Sequence, residues 1–283
     1  MQLFELGEKG LLAELERRGL AQGIEHDTAQ LADGLVVTQD ALVEGVHFRL
    51  DWLTHRELGF RAAAVNLSDL AASGAVPEAL LVTLGAPGQT ALDDVVALYE
   101  GLNEPGVPVV GGDTTRADLV YLSVTALGRS ERVPGRDGAQ PGDLLVVTGP
   151  LGAAGAAFRQ NAYARPPLRL EEGRRLAAVA HALMDVSDGL GIDAGHIAER
   201  SRCKLVIDLE RVPLVEGAEP EDLGFGEDYE LLAATPDPLG FAVIGRCEEG
   251  AGLEIRRDGN PVALSGWDHF GRSRSSSRRS TRG

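Results

Sequence analysis

At 283 residues the chain is long enough for two domains of ordinary size, each with its own core. A formal net charge of −16 argues against broad nucleic-acid binding by the folded part, which would need a basic face for phosphates. Cys203 and Cys247 are the only cysteines, a count that excludes a disulfide scaffold and a Cys-based zinc site and suits a reducing cytosol.

In chain order, residues 3–18 carry apolar side chains at helical spacing and stop at Gly19, a C-cap signal. Residues 35–43 read as a buried strand, opened by β-branched residues and followed by Gly45, where the backbone can turn close to a ligand. Thr54 precedes Glu57 by three, a capping box, and opens a helix to about residue 73 that Gly74 and Pro77 end. Asn66 and Asp69 share a face of that helix and are surrounded by Ala, Val and Leu, so the helix is expected to be buried and the aspartate functional. Strands are expected at 79–84, at 107–110 running into a Gly111-Gly112-Asp113 turn, and at 119–128, with a helix over 92–103. Residues 130–141 are polar and hold Pro134, Gly135, Gly138 and Pro141, which marks a linker.

The second half restarts with a strand at 144–148, a glycine-rich turn and an Ala-rich helix to about residue 160. Helices follow over 171–181 and 189–201, with strands at 183–186, 205–209 and 241–246. Asp258-Gly259-Asn260 reads as a hairpin turn between 253–256 and 262–264. From Arg272 onward only Arg, Ser, Thr and Gly remain, a composition with nothing to bury that predicts a disordered tail. The expected organisation is a mixed α/β (α+β) fold of two domains, 1–135 and 136–271, with 272–283 as the tail. No apolar run reaches the length of a membrane span, and the N-terminus lacks the basic-then-apolar order of a signal peptide, so the expectation is a soluble cytoplasmic protein.

The chemistry-bearing stretches are acidic. Thr38 and Asp40 lie on the first long strand, and Glu25-His26-Asp27-Thr28, Asn66-Leu67-Ser68-Asp69, Gly111-Gly112-Asp113-Thr114-Thr115 and Asp185-Val186-Ser187-Asp188-Gly189 each set an Asp beside Ser, Thr or Gly next to an apolar run. If these converge, the carboxylates repel and their pKa values rise unless cations share the site, so convergence predicts hard, oxygen-liganded metal. Only two lysines, Lys9 and Lys204, stand in the chain, and neither sits in a phosphate-loop motif. Any phosphoryl chemistry must therefore rely on metal ions and arginine.

Taken together, Thr38-Gln39-Asp40-Ala41-Leu42-Val43-Glu44-Gly45-Val46-His47-Phe48, Asn66-Leu67-Ser68-Asp69-Leu70-Ala71-Ala72, Gly111-Gly112-Asp113-Thr114-Thr115, Asp185-Val186-Ser187-Asp188-Gly189-Leu190, Gly226-Glu227-Asp228-Tyr229-Glu230-Leu231 and Gly266-Trp267-Asp268-His269-Phe270 resemble, in order, the motifs of the thiamine-monophosphate kinases. Their superfamily also holds aminoimidazole ribonucleotide synthetase, selenophosphate synthetase and the hydrogenase-maturation ATPase. The resemblance implies ATP-dependent phosphorylation of thiamine monophosphate to thiamine diphosphate with several Mg2+ ions, by direct in-line transfer, in a homodimer whose N-terminal sheets pair into a shared barrel. It implies Asp27, Thr38, Asp40, Asp69, Asp113, Asp185 and Asp188 as metal ligands. Tyr99, Gly112, Asp113, Arg136 and Ser187 then match nucleotide contacts, and His47, Glu227 and Trp267 match substrate contacts. Asp40, Asp69 and Arg136 are the residues expected to carry the transfer itself.

Two departures stand out. The family usually has Gly-Asp-Asp where this chain has Glu25-His26-Asp27, and Thr where it has Gln39. An imidazole is a poorer Mg2+ ligand than a carboxylate. Two other readings therefore stand beside the kinase: a sister synthetase acting on a purine intermediate, and a non-catalytic binder of thiamine phosphate or nucleotide.

Overall fold

The computed structural model describes residues 2–21, 26–264 and 266–267. Glu25, residues 268–270 of the last motif and the Arg/Ser tail lie outside the described residues. Helix α1 (Leu3–Arg17) is interrupted at Gly7 and is followed by the two-residue strand β1 (Ala29–Gln30), β2 (Leu35–Val43), helix α2 (His55–Ala72), β3 (Val76–Ala86), helix α3 (Leu92–Asn103), β4 (Val109–Arg116) and β5 (Tyr121–Arg129). These strands form one sheet in the order β1-β2-β5-β3-β4, antiparallel except for the β3/β4 pair.

Helix α2 begins where the capping box places it: the Thr54 hydroxyl accepts from the Glu57 N–H, and the Glu57 carboxylate accepts from the Thr54 N–H. Almost every residue of α2 from Leu58 to Ala72 is buried. Small side chains make that possible. A Cβ on Gly59 would stand 1.9 Å from the Leu98 carbonyl, one on Gly101 1.9 Å from the Arg56 carbonyl, and one on Gly173 2.1 Å from the Ala71 carbonyl. The helix is thus clamped between α3 and the second half of the chain.

That second half comprises β6 (Leu144–Val147), α4 (Ala153–Phe158), α5 (Leu170–Ala177), β7 (Ala182–Asp185), α6 (Leu190–Ser201), β8 (Lys204–Asp208), β9 (Leu231–Thr235), β10 (Ala242–Glu248), β11 (Gly252–Arg257) and β12 (Asn260–Val262). The sheet order is β12-β11-β8-β10-β6-β9-β7. A third apolar cluster joins Ala71 and Ala72 of α2 to Val146, Leu176, Leu183, Leu231 and Ala233, so the two sheets share α2 as their common wall. Neither sheet closes into a barrel within one chain. Among the described residues no helix is long and apolar enough to cross a membrane.

Three of the differences from the sequence-based expectation have a direct physical cause. Strand β3 starts three residues early because a bulge between Pro77 and Ala79 absorbs the proline. Residues 111–113 do not turn. They continue β4 to Arg116, and Gly112, at φ 143°, lets β4 approach β3 so closely that a Cβ would lie 1.8 Å from the Val82 carbonyl. Helix α5 stops at Ala177, since by His181 the backbone has left it to donate to the Ala234 carbonyl in the sheet.

Candidate active site

The site forms where β2 faces α2. Strand β1 pairs with β2 only through Val36 and Val37, so beyond them the outer edge of β2 is open. Asn66 closes it by accepting the Asp40 N–H at 3.0 Å while donating to the Ala62 carbonyl. One residue pair back, the Thr38 hydroxyl donates to Asp69 Oδ2 at 2.5 Å. From the same helix, Ser68 donates to Asp185 Oδ2 at 2.6 Å, reaching the end of β7 in the second sheet. Asp27, only 5% exposed, is paired with Arg136.

One carboxylate oxygen from each of Asp27, Asp69 and Asp185 lies within 4.8 Å of the others. Their electrostatics carry the mark of that crowding. Burial pushes the Asp69 carboxyl well above the usual range, and the charges of Asp40, Asp185 and Asp27 push it further, against the Thr38 hydrogen bond. Asp185 is raised to about 8, first by burial and then by Asp27, with the Ser68 hydroxyl and Arg136 working the other way. Burial works against the charge of Arg136, but Asp27, Asp185 and Asp193 more than offset it and hold the guanidinium firmly protonated. Oxygen donors that repel one another in a buried pocket fit a hard divalent cation, which would supply the missing positive charge.

The Asp185–Gly189 stretch is tied in through its backbone. Asp193, in the first turn of α6, is buried and accepts the N–H groups of Asp188 and Gly189, both at 3.1 Å. The next two contacts use successive carbonyls: Ser187 accepts the Glu227 N–H at 2.8 Å and Asp188 accepts the Trp267 N–H at 3.1 Å. Ser187, Asp188, Glu227 and Trp267 are thereby held at one place. Gly226, Glu227 and Tyr229 all adopt left-handed backbone, with φ values of 85°, 58° and 52°. Such conformations persist in non-glycine residues when their surroundings over-determine them, and they cluster at ligand sites. His47 caps the end of β2, its Nδ1 accepting the Val43 N–H at 3.0 Å.

Tyr99, Gly112 and Asp113 are elsewhere. They line an open groove of about 470 Å3 between α3 and β4, with Val82, Val109 and Val110. Across the sheet the register runs Asp40, Val124, Val82, Gly112, so Asp113 stands roughly 14 Å from Asp40, three strand spacings away. Within one chain Asp113 is therefore not part of the carboxylate cluster.

Two charged residues at the site were not singled out from sequence. Asp193 is indistinguishable there from an ordinary helix-start carboxylate. Arg61 carries a visible signal, a lone guanidinium inside Gly59-Phe60-Arg61-Ala62-Ala63-Ala64, and it is 4% exposed beside Glu227.

Residues 25–130 match the AIR synthase related protein, N-terminal domain, and residues 140–254 match the AIR synthase related protein, C-terminal domain. A thiamine-monophosphate kinase of Aquifex aeolicus is 33% identical over 95% of this chain and 100% of its own length. One from Haemophilus influenzae is 35% identical over 85% of this chain and 88% of its own length. The solved structure of AaThiL complexed with AMPPCP and TMP superposes with a TM-score of 0.87 at 34% identity, covering 95% of this chain and 99% of that chain. With both halves matched in order and relatives of this identity spanning nearly their whole length, the chain belongs to the thiamine-monophosphate kinase family of the AIR synthase related proteins.

Proposed function

We propose that the chain transfers the γ-phosphoryl group of ATP to thiamine monophosphate, giving ADP and thiamine diphosphate. The observation that carries this is the meeting of Asp27, Asp69 and Asp185, which share a buried pocket with raised carboxyl pKa values. Asp27, Thr38, Asp40, Asp69, Asp185 and Asp188 are the residues that would hold Mg2+, which when bound would neutralise the phosphate charge. Arg136, held protonated beside Asp27 and with a buried Nε that has no hydrogen-bond partner, would supply positive charge to the nucleotide phosphates. Ser187 supports the nucleotide from the same loop, while His47, Glu227 and Trp267 hold the acceptor.

The transfer itself asks little of protein acid or base. The bond from the γ-phosphorus to its bridging oxygen breaks as one forms to a terminal oxygen of thiamine monophosphate, which is already deprotonated at neutral pH. Placement in line and charge neutralisation suffice in kind. Trp267, 50% exposed, presents an aromatic face suited to a cationic heterocycle.

The groove bearing Tyr99, Gly112 and Asp113 completes the nucleotide site in a homodimer. What supports this is the free edge of β4, where Val110 is 62% exposed, together with exposed apolar residues on the neighbouring β3, Val76 at 49% and Leu81 at 39%. A second copy would cover that face and bring Asp113 to a carboxylate cluster. The functional unit is a cytoplasmic dimer, with the N-terminal unit ending near residue 135.

Purified protein with ATP, Mg2+ and thiamine monophosphate should form thiamine diphosphate, read by the fluorescence of its oxidised form. Binding of both ligands without product would instead establish a binder. Turnover only with a purine intermediate would establish a sister synthetase.

A further inference from the structure

Arg61 is the most deeply buried cation at the site. It is 4% exposed, and its buried Nε has no hydrogen-bond partner. Among the described residues its counter-charge is Glu227, whose Oε1 lies 2.5 Å from Nη2. The Tyr163 ring lies beneath the guanidinium, 5.2 Å from Cζ. A guanidinium is not deprotonated to escape such a place, so its Nε–H remains an unmet donor. A buried charged donor without a partner is costly, so one that survives calls for an explanation.

Position supplies one. Arg61 and Ser68 are seven residues apart on α2, two helical turns, and so share the face that looks at the second sheet. Ser68 holds Asp185 of the carboxylate cluster. Tyr229 is buried within electrostatic reach of both groups: burial raises its hydroxyl pKa, Glu227, Asp40 and Asp185 add to that, and Arg61 opposes them. The guanidinium is therefore on the acceptor side of the cluster, facing Glu227, while Arg136 is on the Asp27 side.

We propose that Arg61 binds the phosphate of the acceptor, which takes the place of the Glu227 carboxylate on the guanidinium. When the phosphate takes the guanidinium fork, the Glu227 carboxylate, 24% exposed, is released towards the cationic heterocycle of the same molecule. One exchange of partners then reads both ends of the substrate, and selects a phosphorylated acceptor over the parent alcohol. This rests on the function proposed above.

The test is steady-state kinetics of the full chain and of Arg61→Lys and Arg61→Met, varying thiamine monophosphate and ATP in turn at saturating Mg2+. Losing one partner of a buried, charged hydrogen-bonded pair is expected to raise the KM for thiamine monophosphate about 30-fold or more in Arg61→Met. In Arg61→Lys, which keeps the charge without the fork, the rise should be about tenfold. The KM for ATP should stay within about threefold in both. An acceptor KM unchanged in Arg61→Lys, or ATP and acceptor KM values rising together, would overturn the assignment. If Arg61→Met does not fold, as judged by thermal melting, Arg61→Lys alone decides. A wild-type protein without turnover sinks the proposed function and this inference together, whereas an active wild type with indifferent variants sinks only this inference.

Discussion

The Ser68 hydroxyl donates to the Asp185 carboxylate across 2.6 Å and 117 residues of sequence, and it is a direct side-chain bond from α2 to the second sheet inside the carboxylate cluster. It couples assembly of the two halves to assembly of the site. Ser68→Ala leaves a buried carboxyl without its nearest donor, which should cost about 1–3 kcal/mol in urea unfolding. Turnover should fall with it. A variant as stable and as active as the parent would show that the bond contributes nothing.

The carboxylates that repel in the ligand-free chain should trade stability for function. Asp69→Asn removes one charge from a pocket shared with Asp27, Asp40 and Asp185, so in EDTA its melting temperature is expected to rise. Added Mg2+, which should stabilise the parent by binding the folded state, should stabilise this variant far less. Differential scanning fluorimetry with and without Mg2+ reads both effects, and a parent indifferent to Mg2+ would contradict the metal assignment.

Asp40→Asn should lower kcat by at least about a hundredfold, the several kcal/mol expected when metal-assisted charge stabilisation is lost. The bond from the Asp40 N–H to Asn66 does not involve its side chain, so β2 keeps its anchor and circular dichroism should be unchanged. Near-normal turnover would remove Asp40 from the mechanism.

Asp228 offers a pH signature separate from the metal site. Its buried carboxyl is raised to about 6 by burial, against the N–H groups of Gly152, Ala154 and Ala153, while an unfolded aspartate titrates near 3.8. The folded state therefore holds this proton more tightly than the unfolded chain. The stability it contributes is complete below about pH 3.8 and is lost as pH rises through 6. The full difference is about 3 kcal/mol. Asp228→Asn should remove that part, so the stability gap between parent and variant should shift against the parent between pH 4 and 7. A gap constant with pH would show that Asp228 ionises normally.

The exposed edge of β4 is expected to carry the self-association. Val110→Asp places a charge on a 62% exposed apolar position at that edge, where the separate chain has nothing to lose. Light scattering should show monomers where the parent gives dimers, with the ATP KM raised as Asp113 loses its second copy. A dimer unaffected by this change would move the interface elsewhere.

Much of the site was readable from local chemistry. The acidic motifs, the capping box of α2 and the alternation of apolar strands with Ala-rich helices each state their own structure, because capping, periodicity and ligand type act over a few residues. Asp40, Asp69 and Asp185 could be named as candidate oxygen donors for the same reason. The exact ends of β3, β4 and α5 were not readable, since a bulge, a close glycine contact and a carbonyl on a neighbouring strand decided them.

What sequence alone determined, then, was an inventory of elements and of charged groups that no ordinary core would keep. Only the tertiary structure decided which of those groups share a pocket: Asp27, Asp69 and Asp185 do, while Asp113 stands across the sheet with Tyr99. It also raised Arg61 and Asp193 from a helix residue and a cap to members of the site. The physical reason is that repulsion, desolvation and unmet hydrogen bonds depend on distances between residues far apart in the chain, and those distances exist only once α2 is clamped between the two sheets.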